Sequence, residues 1–70
     1  MMPLYLAEPG GELVIRKVGG SPEIKKHLED MGFTAGERVS LISQLGGNII
    51  IRVKESRVAL SRELAGKIMV

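Results

Sequence analysis

His27 is the only histidine in the chain, with Glu23 four residues before it and Asp30 three after. On a helix, Glu23 lies one turn from His27, so this face offers an imidazole nitrogen and carboxylate oxygens to a borderline metal ion. One histidine supplies too few ligands for a tight site, however, and charged residues fill the exposed face of any small amphipathic helix. Glu23 and His27 are therefore the only, weak, metal candidates; no cofactor is expected, and any ion bound at His27 with Glu23 is expected to be held weakly. The chain has no cysteine, which removes thiolate ligands, disulfides and a thiol nucleophile together. No serine stands in a signature that supplies a base and an orienting group, so the chain is not expected to be an enzyme.

Phosphate chemistry fares no better. Gly19-Gly20 and Gly46-Gly47 lack the Lys and Ser/Thr of a Walker loop and do not lead from a strand into a dinucleotide-binding helix, so both read as turns. What remains is charge. Arg52, Lys54, Arg57 and Arg62 fall on adjoining late elements and suit an acidic protein partner as a basic patch. With a net charge of +2 and Tyr5 and Phe33 as the only rings, the chain lacks the basic stripe and stacking platforms of a nucleic-acid binder. No nucleic acid is expected, although an RNA-binding small barrel is the alternative binding module.

The elements that position these residues follow from pattern. Seventy residues make one small domain, 1–70, whose core must be aliphatic because aromatics are only 3% of the chain. "PLYLA" reads as a brief extended arm ending at the Pro9-Gly10-Gly11 turn. "ELVIRKV", Glu12 to Val18, reads as one strand, with Val14, Arg16 and Val18 on one face and Leu13, Ile15 and Lys17 on the other. Ser21-Pro22 is a helix start, Ile24, Leu28 and Met31 form one apolar stripe, and Gly32 ends the helix in a left-handed residue. "ERVSLIS", "NIIIRVK" and "SRVAL" form a meander, after which Ser61 caps a short helix, "RELAGKI", and Met69-Val70 end as a strand. Short strands with two small helices predict a small curled sheet closed as a barrel, a closure that also shelters the apolar "III" run.

No apolar run approaches the length that spans a bilayer. The N-terminus has neither the basic start nor the apolar stretch of a secretory signal, so the chain is expected to stay in the compartment where it is made.

In order, "PLYLAEPGGELVIRKVGG", "HLEDMGFTAGERVSLI" and "GGNIIIRVKESRVALSRELAGKIMV" resemble the FeoA family of ferrous iron transport. The specific features are the Leu-x-x-Met-Gly-Phe-x-x-Gly corner and the run from the glycine turn through "ALSRELA" to the closing "IMV". Ala35 stands where the family often has proline. The resemblance implies a mainly β fold, a small SH3-like β-barrel with two short α-helices. It also implies a cytoplasmic accessory protein of bacterial ferrous iron uptake, with the cytosolic domain of the FeoB transporter as partner and membrane association only through that transporter. It implies kinship with the SH3-like module of iron-dependent regulators, although this chain lacks the regions that bind DNA and metal in such a regulator. Self-association stays open. Met31, Gly32 and Phe33 at the corner, with Arg52, Arg57 and Arg62, are the candidate partner-binding residues, while the corner also serves as a structural brace.

Overall fold

A computed structural model describes all residues from Met1 to Val70. Six strands, β1 (Glu12–Val14), β2 (Lys17–Val18), β3 (Arg38–Leu45), β4 (Asn48–Val53), β5 (Ser56–Ser61) and β6 (Ile68–Met69), enclose the core with two helices, α1 (Pro22–Asp30) and α2 (Arg62–Ala65). The strands make a four-stranded sheet in the order β1-β3-β4-β5 and a two-stranded sheet, β2-β6. All the pairings are antiparallel.

The expected strand from Glu12 to Val18 is broken by a change of partner. Ile15 still donates its amide to the Glu37 carbonyl (2.9 Å), while the next amide, Arg16, donates to Met69 (2.8 Å). The chain therefore passes from one sheet to the other between these residues, and the inward phase changes with it. Ile15 is buried from one of the two expected faces, but Val18 is also buried from the other, the face it was to share with Val14 and Arg16, which are exposed. The ladder does not close into a continuous ring, so the apolar run is not sheltered as expected. Ile49 and Ile51 are instead protected because β4 is central, paired on both sides by β3 and β5.

The first apolar segment is a 3-10 turn, Leu4–Leu6, and not an extended arm. A turn of that pitch puts Leu4 in the core while Leu6 stays exposed, which an extended alternation would have placed on one face together. Just before it, the Met2 and Val70 amides each donate to the other's carbonyl (3.0 and 2.8 Å), and Pro3 bridges Met69. The second edge of β6 is thereby occupied.

Helix α1 begins and ends on the expected residues. Ser21 Oγ accepts from the Ile24 amide at 3.2 Å, with Pro22 at the first helical position. At the other end Gly32 (φ +103°) donates to Glu29, and Phe33 donates to Leu28, both at 3.0 Å. These two bonds define a Schellman motif, whose accompanying apolar contact falls on Leu28 and Phe33. Both side chains are fully buried, and Ile24 and Met31 pack against the same core from partly buried positions. Helix α2 is shorter than the expected "RELAGKI", and Ser61 Oγ caps it by accepting from Leu64 at 3.2 Å.

Fourteen buried residues form the core, all of them hydrophobic. The two hairpins share one signature: each loop has positive φ at its first residue, Gly46 (φ 62°) and Lys54 (φ 55°). Glycine takes that conformation freely; lysine does so at a cost.

Candidate docking surface

Within β4 the residues alternate: Ile49, Ile51 and Val53 are buried, leaving Asn48, Ile50 and Arg52 on the outer face. The register then sets a row of outward side chains across four strands, Glu12 opposite Ser40, Ser40 opposite Arg52, and Arg52 opposite Arg57. Arg38, one step along β3 from Val39, points to the same face and meets Glu12 at 3.7 Å. That is the sole ion pair of the molecule, and as an exposed pair it contributes little to stability. Arg52 and Arg57 have no carboxylate of their own.

Their pairing can be specified further. Arg62 donates its amide to the Gly47 carbonyl at 3.1 Å, just beyond the Asn48–Ser61 pair. Because hydrogen-bonded and non-hydrogen-bonded pairs alternate, Ile49–Leu60, Ile51–Val58 and Val53–Ser56 exchange ladder bonds, while Ile50–Ala59 and Arg52–Arg57 do not. Non-hydrogen-bonded partners bring their side chains closest. The two arginine side chains thus leave the sheet from directly opposed positions.

A shallow hollow lies on each side of Arg52. One, of ≈ 280 Å³, is lined by Gly10, Ser40, Leu41, Ile42, Arg52 and Arg57. The other, of ≈ 170 Å³, includes Glu12, Arg38, Arg52 and Lys54. Toward the Gly46-Gly47 hairpin the same face turns apolar, with Leu45 exposed and Ile50 half-buried. The face therefore carries positive charge beside an apolar border, and its hollows are shallow.

The other candidates lie apart from it. Arg62 belongs to α2, and its guanidinium sits 5.0 Å from the Tyr5 ring centroid, a cation–π contact. It follows Ser61, whose partner Asn48 is four residues from Arg52, or about 13 Å along the strand. The three arginines expected as a group are thus a pair and a separate residue. At the corner, Phe33 is wholly buried and touches no solvent, whereas Met31 and Gly32 are half-buried. The corner is tied down from behind: the Gly36 amide donates to Ile15 at 2.7 Å, and the Glu37 amide to Thr34 at 3.0 Å. Glu23 and His27 are exposed on α1, and no group of three or more His, Asp or Glu side chains is placed to hold a metal ion.

Sequence reasoning missed Ser40, Gly10 and the Arg38–Glu12 pair. The signal for Ser40 was present in the alternation of "RVSL", but its alignment with Arg52 depends on register. No helix is long and apolar enough to cross a membrane.

Two antiparallel sheets wrapped about one hydrophobic core, with a chain that switches sheets at Ile15–Arg16, define a small SH3-like module. Residues 2–70 match the FeoA domain family, and the chain belongs to that family. A protein of Methanocaldococcus jannaschii, named by inference as Fe(2+) transport protein A, is 36% identical over 70 residues, covering 100% of this chain and 85% of its own. A crystal structure of an iron uptake regulatory protein, FeoA, superposes with a TM-score of 0.86 at 28% identity, over 96% of this chain and 91% of that one. Stenotrophomonas maltophilia FeoA, crystallised with zinc and described as a prokaryotic SH3 domain protein, shares the fold. Its TM-score is 0.84 at 24% identity, covering 99% of this chain and 88% of that one.

Proposed function

We propose that this chain is a cytoplasmic accessory protein of ferrous iron uptake that acts as one domain, residues 1–70, and works by contact without chemistry of its own. Its partner is the cytosolic domain of a FeoB-type ferrous iron transporter. The observation that carries this reading is the family match along residues 2–70, together with the 36% identity to a relative named for Fe(2+) transport. The surface chemistry agrees with it. Arg52 and Arg57 present two positive charges that no carboxylate of this chain neutralises, and such groups steer association with an acidic partner.

The test is capture of the purified cytosolic domain of the transporter from the same organism by this protein, at low and at high salt. Stoichiometric capture that weakens as salt rises is the expected result. Failure to capture the domain at any salt concentration, with both partners folded, would overturn the reading. Tight salt-sensitive binding to oligonucleotides in its place would mark the chain as a nucleic-acid module.

A further inference from the structure

The free edge of β5 is the feature that the docking face alone does not use. β5 is the last strand of its sheet, with β4 on one side only. The alternation established by the Arg62–Gly47 bond directs the N–H and C=O of Ser56, Val58 and Leu60 toward β4. The N–H and C=O of Arg57 and Ala59 must then point away from the sheet, and neither residue joins any hydrogen bond from a turn, loop or cap. Both residues are exposed, and their side chains share the outer face with Arg52. Unblunted edges of this kind are templates for another strand.

The chain itself does not supply the natural occupant. A head-to-tail copy would have to bring β6, whose edges are covered by β2 and the Met2–Pro3 segment, or β1, the other end of the sheet, which is three residues long and whose one carboxylate, Glu12, is already paired with Arg38. A two-fold copy pairing β5 with β5 would gather both copies' Arg52 and Arg57 on one sheet face without a carboxylate among them. The charge on the edge points instead to an acidic strand.

We infer that β5 receives an extended acidic segment of the partner as an added strand. The segment's amides and carbonyls pair with those of Arg57 and Ala59, and its carboxylates lie beside Arg57, with Arg52 one strand further in on the same face. The inference rests on the reading that the protein works by contact, and it supplies the mode of that contact. Backbone pairing gives the attachment, and the arginine pair selects the sign of the incoming side chains.

The test uses the isotope-labelled protein and two synthetic octapeptides, one alternating Val with Glu and one alternating Val with Lys, followed by amide NMR and hydrogen exchange. The Glu peptide is expected to shift and slow the exchange of the Arg57 and Ala59 amides, saturably, and the Lys peptide to leave them unchanged. Ala59→Pro removes one outward N–H without touching the ladder to β4, a position where an edge strand tolerates proline, and should weaken the Glu peptide about tenfold. Arg57→Glu keeps the edge intact and should reverse the preference between the peptides. Unchanged Arg57 and Ala59 amides, equal response to both peptides, or equal binding by a folded Ala59→Pro protein would each overturn the inference. If the transporter domain is captured while the peptide test fails, the partner docks by another surface and only the strand mode is lost.

Discussion

The amide of Phe33 donates to the carbonyl of Leu28 at 3.0 Å, and the two side chains are both fully buried. One hydrogen bond therefore joins the end of α1 to the start of the corner, and the contact beneath it joins both to the core. The only phenylalanine of the chain stands after a glycine because the helix must stop and turn its next side chain inward within a single residue. The corner is a structural brace, with Phe33 buried beneath the half-buried Met31 and Gly32.

Truncating either member should therefore be severe. Leu28→Ala is expected to cost about 2–5 kcal/mol and Phe33→Ala about 3–5 kcal/mol, large fractions of the stability of so small a domain. Urea unfolding followed by circular dichroism checks this. A loss well below 1 kcal/mol at Leu28 would mean that α1 does not seal the core.

Gly32 and Lys54 test the backbone. A Cβ at position 32 would meet Val53 Cγ2 at 3.3 Å in addition to the positive φ, so Gly32→Ala should destabilise by about 1–3 kcal/mol. Lys54 takes the corresponding positive φ at the first residue of its hairpin, where glycine is the favoured type. Lys54→Gly should raise stability by about 0.5–1 kcal/mol, read as a higher denaturation midpoint at unchanged slope.

Much of this was legible in the sequence where the signal is local. Ser21-Pro22 and Gly32 mark the ends of α1 through bonds that span three to five residues, and "NIIIRV" declares which side chains face inward. The exchange of partners at Ile15–Arg16 was not legible, because "ELVIRKV" has uniform strand character and the change is imposed by Glu37 on one side and Met69 on the other. The same holds at Ile42, where β3 slips its register against β4 between Leu41 and Ser43. On the outer face of the sheet, Arg52 and Arg57 were found by charge. Their separation from Arg62 was hidden, since nearness in sequence says nothing about which end of a hairpin a residue occupies.

Stability should not depend on a metal ion. All fourteen buried residues are hydrophobic, so the core holds no ligand, and His27 and Glu23 are exposed. Adding EDTA, or stoichiometric Zn²⁺ or Fe²⁺ under anaerobic conditions, should leave the midpoint of thermal unfolding unchanged. Unfolding by the chelator would require a ligand set that these side chains do not form.

The arginine pair should separate stability from association. Arg52 and Arg57 face each other as a non-hydrogen-bonded cross-strand pair, and like charges placed so are unfavourable by about 0.2–1 kcal/mol. Removing one should therefore leave folding unharmed or slightly improved: Arg57→Ala within about 0.5 kcal/mol of the parent, and Arg57→Glu more stable by up to about 1 kcal/mol. Association with the transporter's cytosolic domain should move the opposite way. The Arg52→Ala, Arg57→Ala double variant is expected to associate on the order of tenfold more slowly at low salt, with the difference shrinking as salt rises. Arg62→Ala is the control, since that residue stacks on Tyr5 away from the pair; it should lose up to about 1 kcal/mol of stability and leave association unchanged. Stopped-flow association at several salt concentrations, beside denaturant unfolding of each variant, gives both readings. If the folded double variant associates as fast as the parent at low salt, the pair is a solvated surface, and if Arg62→Ala alone slows association, the docking face lies on α2.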